Sequence, residues 1–366
     1  MKKDIISEFV RLSMGQQSEL SKCPDGQEWE SLYEFAQKQA IVGFLLHGIE
    51  KLPKGQYPPR LMFMNWYGEG EQISGMKAEL NKMAVRIIEE FTNDGFDCCV
   101  LKGQGNALMY PDPMRRSPGD IDIWMKPKGL SKVGKMEEVR DEIIRYVGKK
   151  YKIEDTRYYH IEFHVGDIPV EAHFMPGVMN NPLYNKRLQR FYTDLQNEQC
   201  RHWVDLPGGE GRIPVPTYDF NVIFQLSHMM HHFFDEGIGL RQMMDYFYLL
   251  RREETKSAKS GLPEKLNYLG LRKFAGAVMY VMQEVLGLEQ DYLIVPADER
   301  RGETLLAEIF KGGNFGQFSG LSQHGTGSKY LIKNWRSLQL VREYPAEALS
   351  EPLFRTYHFF WRKKNV

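Results

Sequence analysis

The most constraining feature of the sequence is a pair of short apolar runs with charged residues at their ends. The first, Cys98 to Leu101, ends in Lys102-Gly103, and the second carries Asp120 and Asp122 one residue apart. Side chains at positions i and i+2 of a strand project from the same face. The two carboxylates would therefore lie side by side, with the neighbouring isoleucines on the opposite face. Because adjacent like charges repel, we expect a hard divalent cation with oxygen ligands between them.

Length and charge limit the class of protein. The chain has 366 residues, enough for two domains or for one domain with large helical additions. Its 48 basic residues balance its 48 acidic residues, so no overall field attracts nucleic acid or an anionic membrane. We therefore expect a local phosphate site and no long nucleic acid as partner.

Cellular location is predicted from the cysteines and the apolar runs. The four cysteines show no CxxC spacing, which is typical of a reducing cytoplasm rather than of a disulfide framework. The N-terminal residues read as an amphipathic helix rather than a signal peptide. No apolar run approaches the ~20 residues that span a bilayer, so we expect a cytoplasmic protein without a membrane partner.

Helical and strand patterns divide the chain into three parts. Residues 1–68 predict an N-terminal helical segment, residues 69–200 an α/β core, and residues 201–366 a C-terminal helical domain. Residues 312–328, rich in Gly, Ser and Gln, predict a loop. The predicted strands cover 97–101, 120–125, 157–164 and 168–174, and the main predicted helices cover 71–93, 104–110, 130–147, 185–197, 217–234, 240–252, 271–286, 303–311 and 351–364.

A third carboxylate, Glu171, lies in the apolar strand pattern of residues 168–174. If this strand neighbours the strand of Asp120 and Asp122, the three carboxylates converge on a cage for one or two Mg²⁺ ions, with Mn²⁺ as an alternative. Such a cage serves phosphoryl transfer, because the metal bridges phosphate oxygens and orients the attacking oxygen. Glu171 would complete the second metal site and assist deprotonation of the acceptor.

Residues beside this cage are suited to phosphate. Gly103 lets the backbone approach a phosphate, the following helix offers free N–H groups, and Lys102 adds a point charge. Arg116, four residues before Asp120, would add a bidentate contact.

A second group of candidates is the histidines His228, His231 and His232, which helical spacing places on one face. Three imidazoles there would bind a transition metal, as in a metal-dependent phosphohydrolase, but the His-Asp dipeptide typical of such helical hydrolases is absent. The alternative, which we favour, is that His228 lines a nucleotide cleft while the others pack or face solvent. His173 is expected to be a structural histidine, with general base as the alternative.

The run LKGQGNALMYPDPMRRSPGDIDIW resembles the uncharacterised nucleotidyltransferases of the polymerase-beta superfamily. That family pairs an LKG element and a YPDP…R loop with a G-D-I-D motif and a later strand holding Glu near His. The matching residues are Lys102, Gly103, Tyr110, Pro111, Arg116, Gly119, Asp120, Asp122, Glu171 and His173, with weaker similarity at 226–228, 240–241 and 245. The resemblance implies a nucleotidyltransferase fold, a short mixed sheet framed by helical segments. Lys102-Gly103 replaces the superfamily's usual Gly-Ser motif, which holds the triphosphate.

These features predict an Mg²⁺-dependent nucleotidyltransferase that moves a nucleoside monophosphate from an NTP to a hydroxyl of a small molecule or protein. Asp120, Asp122 and Glu171 are the expected metal ligands and catalytic residues. The expected nucleotide and phosphate contacts are Lys102, Gly103, Arg116, Gly119 and His228. The alternative is a catalytically silent nucleotide-binding or antitoxin-like interaction protein, which a Glu171 pointing away from Asp120 would favour.

Overall fold

A computed structural model of the protein describes residues 3–129, 136–318 and 326–365. A five-stranded mixed sheet lies between helices from both ends of the chain. This confirms the predicted α+β class, with a short mixed sheet and helical N- and C-terminal portions. No helix in the described part of the chain has both the length and the apolar character of a membrane span.

Four helices precede the sheet: α1 (Lys3–Ser13), α2 (Gly26–Gln39), α3 (Val42–Ile49) and α4 (Arg60–Asn93). A capping box starts α2, because the Asp25 side chain accepts from the Glu28 backbone and the Glu28 side chain accepts from the Asp25 backbone. The 34-residue helix α4 begins directly after Pro59, earlier than the predicted 71–93. The proposed boundary at residue 68 falls inside α4, and the division into three parts stays a prediction.

The sheet contains β1 (Phe96–Val100), β2 (Ile121–Pro127), β3 (Ile153–Thr156), β4 (His160–Val165) and β5 (Ile168–His173), in the order β1-β2-β5-β4-β3. Strands β2 and β5 are parallel, whereas the other neighbours are antiparallel. The four predicted strands are present, and β3 was missed because its sequence, IEDT, has no apolar run. The parallel pair is the one that matters for function, because it joins the strands of Asp122 and Glu171.

Along the chain, α5 (Gln104–Ala107) follows β1, α6 (Met136–Lys150) follows β2 and α7 (Pro182–Gln199) follows β5. A small hairpin of β6 (Trp203–Asp205) and β7 (Arg212–Pro214) comes next. The predicted helix over 104–110 is only one turn long. The first part of the predicted helix over 130–147, residues 130–135, lies outside the described residues.

The remaining helices are α8 (Tyr218–Asp235), α9 (Leu240–Leu250), α10 (Glu253–Ala258), α11 (Leu262–Tyr268), α12 (Arg272–Glu284), α13 (Glu299–Gly312), α14 (Thr326–Leu340) and α15 (Pro345–Asn365). Helices α8, α9 and α12 agree with their predictions to within two residues. The last helix begins at 345 rather than 351, and α14 starts within the predicted loop over 312–328. Residues 319–325 of that loop lie outside the described residues.

Two apolar clusters cover opposite faces of β2. Ile121 and Ile123 belong to the cluster beneath the sheet, which includes residues of α4 and α6. Trp124 belongs instead to the larger helical cluster, where its ring stacks on Phe220 of α8 at 5.5 Å. Because residues alternate along a strand, Asp122 points towards the helical side. The catalytic candidates therefore lie between the sheet and α8.

Candidate active site

The parallel pairing of β2 and β5 brings the three candidate carboxylates together. Asp122 and Glu171 are register partners, and Asp120 immediately precedes β2. One oxygen from each of the three carboxylates lies within 4.8 Å of the other two. Asp122 is 2% exposed, whereas Asp120 and Glu171 are half-buried and reachable from a cavity.

His173 lies between two of these carboxylates. Its Nε2 atom is 3.0 Å from Oδ1 of Asp122 and 3.0 Å from Oε2 of Glu171. Burial opposes protonation, but the hydrogen bonds to Asp122 and Glu171 raise the pKa of His173 to about 9. Burial likewise opposes ionisation of Glu171, but the hydrogen bond from His173 and the charge of His160 lower its pKa to about 2. The sequence interpretation of His173 as structural did not include this ionic contact.

Lys102 is the second cation at the carboxylates. Its Nζ atom lies 2.8 Å from Oδ1 of Asp122 and 3.3 Å from Nε2 of His228. Burial would lower the pKa of Lys102, but Asp122, Asp120 and Glu171 raise it above its ordinary value. Burial and the nearby Lys102 charge hold the pKa of His228 well below its usual range. His228 is therefore a neutral imidazole that accepts a hydrogen bond from Lys102.

The sequence predicts a bidentate phosphate contact for Arg116, but its guanidinium is bound to another side chain of the protein. Its Nε and Nη2 atoms donate to the two carboxylate oxygens of Asp245, at 2.8 and 2.7 Å, and Nη1 donates to the Ser117 carbonyl at 3.3 Å. Tyr110 Oη also donates to Asp245, at 2.7 Å. Arg116 thus anchors the loop before β2 to α9, and its role as a phosphate ligand stays a prediction that this pairing disfavours.

Arg241, one turn earlier on α9, is a site residue that the sequence interpretation did not assign. Its Nη1 atom donates to the carbonyls of Ser117 and Pro118, and no carboxylate in the described ranges lies within ion-pair distance. Its Nε atom is buried without a hydrogen-bond partner. Burial and the nearby Arg116 charge lower the pKa of Arg241. Arg241 therefore keeps much of its hydrogen-bonding capacity beside the carboxylates.

Gly103 and Gly119 are close to the charged groups. Gly103 has φ of +56°, a conformation that favours glycine, and precedes the single turn of α5. A helix of four residues has little macrodipole, so the phosphate attraction here comes from Lys102. A Cβ atom on Gly119 would lie 3.7 Å from Nη1 of Arg241.

Two cavities meet at these side chains. A small cleft of about 40 Å³ is bordered by Lys102, Gly103, Gly119 and Arg241. A larger cavity of about 550 Å³ opens on the other side of Asp120. Both cavities are lined by Lys102, Asp120, His228 and Phe315.

Comparison with known families agrees with this geometry. A family model described as an uncharacterised nucleotidyltransferase matches residues 25–287, well over half of the chain. The chain belongs to this nucleotidyltransferase family. The matched range contains all three carboxylates, Lys102 and Arg241. No curated protein and no solved structure matches the chain.

The three histidines of α8 line the larger cavity of the candidate site. The rings of His228 and His232 are 4.4 Å apart, and His232 Nδ1 lies 3.5 Å from Oε2 of Glu236. In the described ranges, the side-chain groups close enough to hold a metal do not include His228, His231 or His232. These distances therefore give the phosphohydrolase hypothesis no support. His228 lines both cavities, and its contact with a nucleotide stays a prediction.

Proposed function

We propose that this protein transfers a nucleoside monophosphate from an NTP to the hydroxyl of a small-molecule acceptor and releases pyrophosphate. Family membership supports a nucleotidyltransferase in general. The observation that carries the specific reaction is the convergence of Asp120, Asp122 and Glu171 from two neighbouring strands within 4.8 Å. A silent nucleotide-binding protein would not need all three carboxylates at one point.

The carboxylates are suited to Mg²⁺ or Mn²⁺. Both ions prefer oxygen ligands, and three carboxylates supply them with the negative charge that a divalent ion neutralises. Asp120, Asp122 and Glu171 would hold the ion, which when bound would supply positive charge that stabilises the charge developing on the phosphates during transfer. Glu171 is a metal ligand rather than a general base in this proposal, because its pKa of about 2 makes it a weak proton acceptor.

Lys102 and Arg241 would bind the phosphates. Lys102 supplies a point charge. The guanidinium of Arg241, which has no carboxylate partner among the described residues, supplies several donors in a planar arrangement that matches phosphate oxygens. Both border the small cleft beside Gly103, whose missing side chain allows close approach of a ligand. Arg241 thus takes the role that the sequence assigned to Arg116.

The larger cavity would bind the acceptor together with the nucleoside. A volume of about 550 Å³ falls within the range of small-molecule sites. Tyr159, His231 and Phe315 line it, which gives aromatic surfaces and a neutral imidazole for a hydroxylated ligand. Burial lowers the pKa of His231 to about 4, so that its ring stays uncharged at neutral pH.

The test compares two positions of the radioactive label. The protein is incubated with Mg²⁺ and a cell extract, and with an NTP labelled on either the α- or the γ-phosphate. We expect the α-label, but not the γ-label, to move to an acceptor. The D120N/D122N double variant should lose this transfer by at least about 1,000-fold, since metal stabilisation supplies several kcal/mol.

The matched control is Asp205→Asn, which removes an exposed carboxylate on β6 outside the site. It should retain transfer. Movement of the γ-label would indicate a kinase instead, and nucleotide binding without transfer of either label would support the silent binding protein. Transfer of the α-label that survives D120N/D122N would contradict the proposal.

A further inference from the structure

Two imidazoles lie beside Glu171, and one of them, that of His173, also contacts Asp122. His160 on β4 and His173 on β5 are register partners in an antiparallel pair, and their ring centroids are 4.9 Å apart. Side chains of opposite residues in such a pair lie on the same face. Glu171, two residues before His173, shares this face. The pairing of β4 with β5 therefore creates a His-His-Glu group that adjoins the aspartates, with His173 in contact with Asp122 and Glu171 shared by both groups.

The ligand atoms of this group lie at distances that suit a metal. Nε2 of His173 is 3.0 Å from Oε2 of Glu171, and Nε2 of His160 is 3.8 Å from Oε1. One ligand atom from each of the three residues lies within 4.8 Å of the other two. Around a tetrahedral zinc ion with bonds of 2.0–2.1 Å, neighbouring ligand atoms are about 3.3 Å apart. A zinc-sized ion thus fits with small side-chain adjustments.

The surroundings also suit a metal. His160 and His173 are 5% and 1% exposed, so that little water competes for the ligand atoms. The group borders the larger cavity, which leaves an open side through which an ion or a substrate atom enters. If the ion takes Nε2 of His173, Asp122 still has Lys102 at 2.8 Å as its partner. At His160 the ion would replace Glu162, whose Oε1 lies 3.2 Å from Nε2, and among the described residues Nδ1 of each histidine is buried without a hydrogen-bond partner.

We propose that His160, His173 and Glu171 form a second metal centre, specific for a divalent transition metal such as Zn²⁺. Imidazole nitrogen is a good ligand for zinc, whereas Mg²⁺ prefers oxygen. The two neighbouring groups therefore differ in the metal that they select, and Glu171, with two carboxylate oxygens, belongs to both. This centre goes beyond the proposed nucleotidyl transfer and does not depend on it.

Co²⁺ serves as the probe, because it occupies zinc sites and its visible absorption reports imidazole ligation. The full-length protein is freed of metal with a chelator and titrated with Co²⁺ in excess Mg²⁺ and without nucleotide. We expect one Co²⁺ per chain, displaced by Zn²⁺. His160→Ala should weaken Co²⁺ binding by about 100-fold or more, because loss of an outer-shell partner alone costs 10–100-fold.

His164→Ala is the matched control, since His164 is an exposed imidazole on the same strand whose partner is Glu154, 3.0 Å away. It should bind Co²⁺ as the wild type does. His160→Gln provides a second variant of similar size, and circular dichroism checks that each variant is folded. A wild type that does not bind Co²⁺ in excess Mg²⁺, or binding that His160→Ala and His160→Gln leave unchanged, would overturn the proposal.

The separate label-transfer assay with Mg²⁺ distinguishes the two proposals. Absence of Co²⁺ binding with intact α-label transfer would refute only the second centre. Co²⁺ binding that depends on His160, in a protein without transfer activity, would support this centre and refute only the nucleotidyl transfer.

Discussion

Asp122 and Glu171 face each other across the parallel pair of β2 and β5, and one imidazole nitrogen of His173 lies 3.0 Å from a carboxylate oxygen of each. Lys102 contacts the same oxygen of Asp122 at 2.8 Å. Without a metal, the negative charges of this group are thus partly balanced by two cations of the protein itself. A divalent ion competes with both cations for the carboxylates, so metal binding and protonation of His173 oppose each other.

The first prediction concerns the pH dependence of stability in the metal-free protein. Because folding raises the pKa of His173 from 6.5 to about 9, its ionic contacts stabilise the fold fully below pH 6.5 and lose this effect as the pH rises to about 9. The change corresponds to about 3 kcal/mol in the free energy of unfolding.

The measurement is the midpoint of thermal unfolding across this pH range, with a chelator present, for the wild type and His173→Gln. The difference between the two proteins should shrink as the pH rises. His164→Gln, which changes a half-exposed histidine, serves as the control. A difference that stays constant between pH 6.5 and 9 would show that His173 is not ionised in the folded protein.

The second prediction is that Arg116 and Arg241 contribute differently to the stability of the fold. Arg116→Met should destabilise the fold by about 3–5 kcal/mol, because it leaves the buried Asp245 carboxylate without its bidentate partner. Arg241→Met should cost less than about 2 kcal/mol, since it removes hydrogen bonds to two carbonyls and a contact with the Phe315 ring but no ion pair to a carboxylate of the described residues.

For stabilisation by nucleotide the order should be reversed, with Arg241→Met losing more of it than Arg116→Met. At 100 times its dissociation constant, Mg²⁺-NTP stabilises a folded protein by about 2.7 kcal/mol. Arg241→Met should lose most of this effect. Melting curves with and without nucleotide measure both quantities, and an Arg241→Met variant that is stabilised as strongly as the wild type would exclude Arg241 from the phosphate site.

The sequence predicts the local part of this site well. The period-two pattern places Asp120 and Asp122 on one face, and the apolar neighbours Ile121 and Ile123 are buried on the other, as expected. The register of the hairpin formed by β4 and β5 also follows from the sequence. Gly166-Asp167 is a two-residue turn, which pairs Val165 with Ile168 and therefore His160 with His173. The turn length alone therefore predicts that these two histidines face each other.

The non-local part of the site could not be predicted in this way. Arg116 and Asp245 are 129 residues apart, and neither local pattern indicates the other as its partner. Arg241 and Asp245, four apart on α9, have the spacing of a helical ion pair. Because Asp245 is taken by Arg116, Arg241 is instead left without a carboxylate. Which of the two arginines pairs with Asp245 depends on how α9 packs against the loop before β2. A single sequence contains no pattern that predicts such packing.

The third prediction tests the backbone at Gly103. Its φ of +56° disfavours any residue with a Cβ atom, although the space there is adequate, with Asp120 O as the nearest atom at 3.7 Å. Gly103→Ala should therefore lower the free energy of unfolding by about 1–2 kcal/mol through backbone strain alone. Gly75→Ala, in the middle of α4 and with open space around it, should raise stability by up to about 1 kcal/mol. Denaturant unfolding of both variants measures the contrast, and equal effects of the same sign would contradict the strained backbone at Gly103.

The fourth prediction concerns Glu347, which joins α15 to the wall of the larger cavity. Its carboxylate is 3% exposed and accepts hydrogen bonds from the backbone N–H groups of Asn180 and Asn181, at 2.8 and 3.2 Å. Burial raises the pKa of Glu347 from 4.5 to about 7, against the effect of these two hydrogen bonds. The folded protein thus binds the proton more tightly than the unfolded chain does. The contribution of this group to stability is therefore greatest below pH 4.5 and falls as the pH rises to about 7.

Glu347→Gln removes the titration while keeping the size of the side chain. The stability of the wild type relative to this variant should decline by about 3 kcal/mol between pH 4.5 and 7 and then remain constant. Chemical unfolding at several pH values provides the measurement, and Glu308→Gln, which removes a more exposed carboxylate near α14, provides the control. The more exposed Glu308 lacks the burial that raises the pKa of Glu347, so the stability of the wild type relative to Glu308→Gln should change little over this pH range. An equal decline for Glu308→Gln would show that the pH effect comes from general surface charge rather than from Glu347.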